Sequence, residues 1–227
     1  MPSPKSPVIA IDGPAGSGKS TVARLVAAAV GRPVLDTGAM YRAVTWAALD
    51  AGIDPGDAPA VAALARRLEI DVGPPVRVDG RDVDAAIRTP EVTAAVSTVA
   101  AVPEVRAVLV TAQREWIEVH GGGVVEGRDI GTVVAPDAVL KVYLVASEEE
   151  RARRRQRQDG VVETAGDLDA TQAAIHRRDA VDSGRSVAPL AAAADAVVLD
   201  TTGLPVERVV AEVLTRYQAA LEAAEQS

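Results

Sequence analysis

The chain has 227 residues, 48% of them apolar and 25% charged, which suits one soluble α/β domain with added lobes. Cysteine is absent, so disulfides and thiolate metal sites are excluded, and the lack of phenylalanine leaves a core of Val, Leu, Ile and Ala. A formal net charge of −8 disfavours nucleic acid and anionic membrane as partners, so any phosphate must be held by a few local basic residues.

The opening Met1–Pro7 is polar and carries three prolines, unlike a signal peptide. The longest apolar-leaning stretch, Val92–Pro103, falls short of the ~18 residues that span a bilayer, so a cytoplasmic location is expected. Val8–Ile11 reads as a buried strand ending at Asp12-Gly13. A Gly-rich loop follows, then a helix over Lys19–Val30 closed by Gly31. A second strand ends near Leu35, Ala39–Ala51 is helical and closed by Gly52, and Asp57–Leu68 has a helical pattern. Leu68–Val72, Val76–Val78 and Asp82–Val83, separated by Gly73-Pro74-Pro75 and Asp79-Gly80, predict small antiparallel strands inserted into a parallel α/β pattern. Helices are expected at Glu91–Val99 and Pro103–His120, and strands at Val124–Glu126 and Val139–Val145. Ser147 caps a basic helix over Glu148–Gln158. A Gly-containing linker (Asp159–Gly166), a helix to about Ala180, a strand at Ala196–Leu199 and a helix from Pro205 to about Ala223 complete the chain.

Gly13-Pro14-Ala15-Gly16-Ser17-Gly18-Lys19-Ser20, with Thr21 behind it, matches G-x-x-x-x-G-K-[ST] between a strand and a helix, the context that a phosphate-binding loop requires. Glycines let backbone N–H groups turn inward around a phosphate, and the helix N-terminus adds its positive dipole end. Lys19 reaches the β- and γ-phosphates of a nucleoside triphosphate, and Ser20 offers its hydroxyl to Mg²⁺. A guanine-reading N-K-x-D segment is absent, and Val124-Val125-Glu126 lacks the Asp-Glu pair of a motor ATPase. A small-molecule kinase fits the remaining pattern. Arg151, Arg153, Arg154, Arg155 and Arg157 leave two readings open: a solvated helix paired with Glu148–Glu150, or a mobile lid whose arginines, Arg151 and Arg154 first, neutralise the moving phosphoryl group.

Several separated motifs point the same way. Asp36-Thr37-Gly38-Ala39-Met40-Tyr41-Arg42, Ile87-Arg88-Thr89-Pro90-Glu91-Val92, Glu126-Gly127-Arg128-Asp129-Ile130-Gly131-Thr132-Val133-Val134 and Arg178-Asp179 through Val187-Ala188-Pro189-Leu190 resemble the bacterial cytidylate kinases, from about Ile9 to Leu214. The resemblance implies a P-loop α/β fold with a parallel sheet flanked by helices. It implies a core at about 8–36, 121–147 and 185–227, a monophosphate-binding lobe with a small antiparallel sheet at about 37–120, and a short lid at about 148–184. It further implies phosphorylation of CMP and dCMP by ATP with Mg²⁺, in a cytoplasmic monomer that takes no nucleic acid or membrane partner. Thr37, Tyr41, Arg42, Arg128 and Arg185 would hold the acceptor's phosphate, with Arg88 in a matching segment. Ser97, Arg106 and Asp129 would face cytosine, and Arg178 and Asp182 the sugar. From the residues alone, Asp129 also has the reading of a structural partner to Arg128, Ser97 of a packing residue, Arg106 of a solvated helix arginine and Tyr41 of core. A monophosphate is already close to a dianion at neutral pH, so no general base is required and His120 and His176 are read as surface residues.

Overall fold

The structure, a computed structural model, describes residues 7–159, 165–185 and 187–225. The chain divides into two compact units, Met1–Val34 with Ile117–Ser227, and Leu35–Trp116.

In the first unit, β1 (Val8–Asp12) is buried along its whole length and sits at the middle of a five-stranded sheet. It pairs in parallel with β6 (Gly123–Glu126) and β7 (Leu140–Val145), and β7 pairs in parallel with β8 (Val197–Asp200). With β2 (Val34–Asp36) at the edge where the chain leaves this unit, the order is β2-β6-β1-β7-β8. Burial on both faces explains why β1 reads as a continuous apolar run and not as an alternating one. The helices α1 (Lys19–Val30) and α8 (Val206–Glu225) contribute Val22, Val26, Val209, Val213 and Tyr217 to a core with Ile9, Ile11, Val124, Val142 and Leu144. The last two helices before β8 are α6 (Glu148–Asp159) and α7 (Ala165–Ser183), which pack on each other. The linker expected at Asp159–Gly166 falls mainly on residues 160–164, which lie outside the described residues.

The second unit is built on α2 (Thr37–Asp50), α3 (Ala58–Ala65), α4 (Pro90–Ala101) and most of α5 (Pro103–Val119). Asp36 caps α2 by accepting from the Ala39 N–H at 3.0 Å, and Asp57 caps α3 by accepting from Ala60 at 3.1 Å. The small antiparallel sheet is present as β3 (Ile70–Asp71), β4 (Arg77–Val78) and β5 (Arg81–Asp82), in the order β3-β4-β5. Its strands are shorter than expected and the last one starts a residue earlier. Asp79 and Gly80 both take positive φ, which makes a two-residue hairpin that sets Val78 opposite Arg81. Glu69, read as strand, is held instead by Asp79, whose carboxylate accepts from the Glu69 N–H at 2.9 Å. Val76, Val78, Val83 and Ile87 pack with Ala39 and Ala43 into this unit's core.

The phosphate-binding loop is seated by glycines with no room for a side chain. Gly13 has φ 145°, and a Cβ there would stand 2.2 Å from the carbonyl oxygen of Leu144 in β7. Gly13→Ala should therefore destabilise the chain by roughly 3 kcal/mol or more, through left-handed strain and a backbone clash together. Thermal unfolding checks this; an unchanged Tm would mean that the loop is not held against β7.

Candidate functional site

The loop from Gly13 to Gly18 leaves the carboxyl end of the central strand and enters α1, the place where open parallel sheets bind ligands. Gly18 takes a left-handed conformation as the N-cap of α1 and Gly31 does so at its C-cap. Ser17 and Lys19 are buried, Pro14, Ala15, Gly16 and Gly18 are half-buried, and Ser20 and Thr21 are exposed at the start of the helix. Lys19 turns back into the loop, its Nζ donating to the Pro14 carbonyl at 2.7 Å and to Ser17 Oγ at 3.5 Å. Burial pushes the Lys19 ammonium down to about 7, and the Arg128 and Arg178 charges push the same way while Glu126 and Asp12 oppose them.

Asp12, the last residue of β1, accepts from the N–H groups of Ile130 at 2.9 Å and Gly131 at 2.8 Å. These amides open a π-helical turn, Ile130–Val134, which no periodicity in the sequence announced. The Gly127 N–H adds a bond to the Ile11 carbonyl, so the Gly127-Arg128-Asp129 segment is fastened to β1 from both sides. Arg128 then donates from Nε to Asp182 at 3.1 Å. Arg185 donates from Nε to the Asp182 carbonyl at 3.0 Å and lies 3.7 Å from its carboxylate. Of the residues expected to meet the acceptor, Arg128, Arg185 and Asp182 thus form one ionic cluster, with Asp129 buried beside Arg128 and Arg178 half-buried on α7. The Asp182 carboxylate spans the two arginines expected on phosphate.

In the second unit the expected residues sort differently. Arg42 donates to the Ile87 carbonyl at 3.1 Å and to Thr93 Oγ1 at 2.9 Å, which ties α2 to α4. Arg106 is 2% exposed, donates to the Ala100 carbonyl at 3.3 Å and stands 5.4 Å from the Tyr41 ring centroid. Burial against Tyr41 and the bond to Ala100 therefore overturn the alternative of a solvated helix arginine at Arg106. Thr37 and Tyr41 are buried and Ser97 is half-buried, whereas Arg88 is exposed and pairs with Asp84 at 3.6 Å.

The basic helix α6 divides its arginines between solvent and loop. Arg153 pairs with Glu149 at 2.6 Å on the exposed side. Arg154 donates to Glu150 at 2.8 Å, to the Ser17 carbonyl at 3.2 Å, to Thr201 Oγ1 at 2.8 Å and to the Thr201 carbonyl at 2.7 Å. Arg151 is buried, donates to the Ala15 carbonyl at 3.1 Å and is ion-paired with Asp179. Both arginines picked out for the lid are thus seated on the phosphate loop. Sequence reasoning missed Thr201 and Asp179; Asp179 lies inside a quoted motif, but its partner on the loop is 164 residues away. His120 and His176 are both exposed.

No group of three or more His, Asp or Glu able to hold a metal occurs among the described residues.

A family model described as cytidylate kinase matches residues 9–219. The chain is 53% identical to a bifunctional pantoate ligase/cytidylate kinase of Synechococcus sp. (strain WH7803), over 96% of this chain and 46% of that protein, so it spans about half of that relative's length. It is 52% identical to a cytidylate kinase of Mycobacterium avium (strain 104), covering 89% of this chain and 91% of the relative, and 50% identical to one of Streptomyces griseus, covering 92% of each. A solved gluconokinase of Sinorhizobium meliloti shares the fold at a TM-score of 0.52 and 18% identity, covering 98% of each chain. No single helix among the described residues is long and apolar enough to cross a membrane.

Burial pushes the Asp12 carboxyl up from 3.8 to about 6, against the pull of its two amide bonds. Between about pH 4 and 6 the folded chain keeps a proton there that the unfolded chain has released. This contribution to stability is present at low pH and is lost as pH rises through 6. Chemical denaturation across pH 4–7 should show the slope in the unaltered chain and its loss in Asp12→Asn; the same slope in both would place that proton elsewhere.

Proposed function

This chain belongs to the cytidylate kinase family, and on that premise we propose that it transfers the γ-phosphoryl group of ATP in line to CMP or dCMP, releasing ADP and the diphosphate. The observation that carries this reading is the cation set at the folded loop. Lys19 turns back onto the loop at the Pro14 carbonyl, and Arg151 and Arg154 of α6 donate to the loop carbonyls of Ala15 and Ser17, so three cations converge on the amides that a polyphosphate would meet.

The amides of Gly13–Thr21 hold the donor's phosphates, and Lys19 leaves the Pro14 carbonyl for their β- and γ-oxygens. The Ser20 hydroxyl would hold Mg²⁺, which would supply charge neutralisation at the donor. Arg151 reaches the transferring group from α6. Arg154, whose donors meet Glu150, Ser17 and Thr201, braces the loop beneath it. The family resemblance assigns the acceptor's phosphate to Thr37, Tyr41, Arg42, Arg128 and Arg185, with Arg88 in a supporting place. Arg178 and Asp182 meet the sugar. Asp129 takes the amino hydrogens of cytosine, while Arg106 and Ser97 serve its acceptor atoms. The acceptor oxygen is already anionic, so no side chain needs to remove a proton. The protein acts as a monomer in the cytoplasm.

Three measurements bear on this. A coupled assay of ADP release across CMP, dCMP, UMP, AMP, dTMP and shikimate should favour CMP and dCMP. UMP should fall behind by roughly 10²-fold or more, since uracil reverses the donor pattern that Asp129 reads. Asp129→Ala should narrow that gap with ATP binding little changed, and equal losses for CMP and UMP would reject the base-reading role. Because Lys19 sits near 7 without nucleotide, ATP binding at about pH 8 should take up on the order of one proton as the phosphates restore its charge. Calorimetry in buffers of different ionisation enthalpy reads this; Lys19→Met should lose the uptake together with turnover.

A further inference from the structure

The loop that is to hold polyphosphate already holds an anion supplied by the chain itself. Asp179, on α7, accepts from the Ala15 N–H at 3.0 Å through Oδ1. Its Oδ2 accepts from Arg151, and the same Arg151 nitrogen donates to the Ala15 carbonyl at 3.1 Å. A carboxylate and a guanidinium thus close on both polar groups of one loop residue. The side chains are largely out of water, 8% exposed for Arg151 and 15% for Asp179. The helix backbone is pressed against the loop as well, since a Cβ on Gly16 would lie 2.7 Å from the Arg151 carbonyl oxygen. The Nε of Arg151 is buried and has no hydrogen-bond partner among the described residues. A charged donor is therefore open to another acceptor while its neighbour is engaged.

We propose that Asp179 is an internal stand-in for phosphate, a positioning residue that occupies the Ala15 amide and Arg151 in the nucleotide-free chain and is displaced when ATP binds. The inference rests on the reading of Gly13–Thr21 as the ATP loop. Two oxygens of one carboxylate, set on a loop amide and an arginine, reproduce what two phosphate oxygens would do there. A carboxylate and a triphosphate cannot share that amide, because both are acceptors only and both are negative. The exchange keeps the loop satisfied when empty and hands Arg151 to the phosphates only once they arrive. The consequence is a lowered apparent affinity for ATP, by the fraction of molecules in which the carboxylate is withdrawn.

Asp179→Asn keeps the size and removes the charge. ATP should bind this variant about tenfold more tightly than the unaltered chain, if the engaged state outnumbers the open one by ~10:1. The KM for ATP should fall with it while the KM for CMP stays the same. Inorganic tripolyphosphate, used as a competitor, should gain by the same factor, which a role confined to nucleoside recognition would not produce. Equal or weaker ATP binding by a folded Asp179→Asn overturns the proposal. For a variant that does not fold, a crystal of the unaltered chain with ADP decides instead: Asp179 should have left Ala15, and a carboxylate still bonded to that amide beside bound phosphates overturns the proposal. If the unaltered chain binds no ATP at all, the kinase reading falls together with this one; if it binds ATP and the Asp179→Asn affinity does not rise, only this one falls.

Discussion

A backbone turned so that its N–H groups converge creates a local demand for negative charge that water alone meets poorly, and the architecture of the first unit is arranged around that demand. The loop begins at Gly13, against the β7 backbone, and runs into the N-terminus of α1, where the helix dipole adds to the amides. With no nucleotide, the fold answers the demand internally. Lys19 is satisfied by the Pro14 carbonyl and Ser17, and the Ala15 amide by Asp179. On the proposed reading, a polyphosphate takes the place of these bonds.

The same economy of charge runs through the neighbouring segments. A chain with net charge −8 attracts anions only where basic groups are clustered and partly dehydrated. Arg128 and Arg185 are held in that condition by Asp182, and Arg151 by Asp179, so α7 carries a carboxylate partner for the arginines of three other segments. Asp12 has a different task. It accepts two amides of the turn after Asp129 and so makes the position of Arg128 and Asp129 depend on the central strand. The second unit solves its own problem by burying Arg106 against Tyr41 and tying α2 to α4 through Arg42.

Much of this was legible from local chemistry. α1 runs from Lys19 to Val30 as read, because Gly18 and Gly31 mark both ends by conformation, and β1 announced itself as an uninterrupted apolar run. The small sheet was legible as a sheet, but its register was set by Asp79 accepting from the Glu69 backbone, a contact that alternation does not encode. Among the arginines of α6, Arg151 and Arg154 stood out in the sequence, but whether they met solvent or phosphate stayed open. The answer depends on Thr201 and Asp179, dozens of residues away in sequence. Likewise nothing local marks Ile130–Val134 as a π-turn, since its cause is a carboxylate 118 residues earlier. Local propensity carried the elements; the site is made of long-range polar contacts.

The central claim is that the phosphate loop and the arginines near it perform direct transfer between two bound nucleotides. Phosphorus NMR of the unaltered chain with ATP, CMP and Mg²⁺ follows that transfer most directly. The account predicts that the CMP signal is converted into the two signals of CDP, one for one with ADP formation, with no inorganic phosphate accumulating. ADP and free phosphate appearing at the same rate with or without CMP would contradict it.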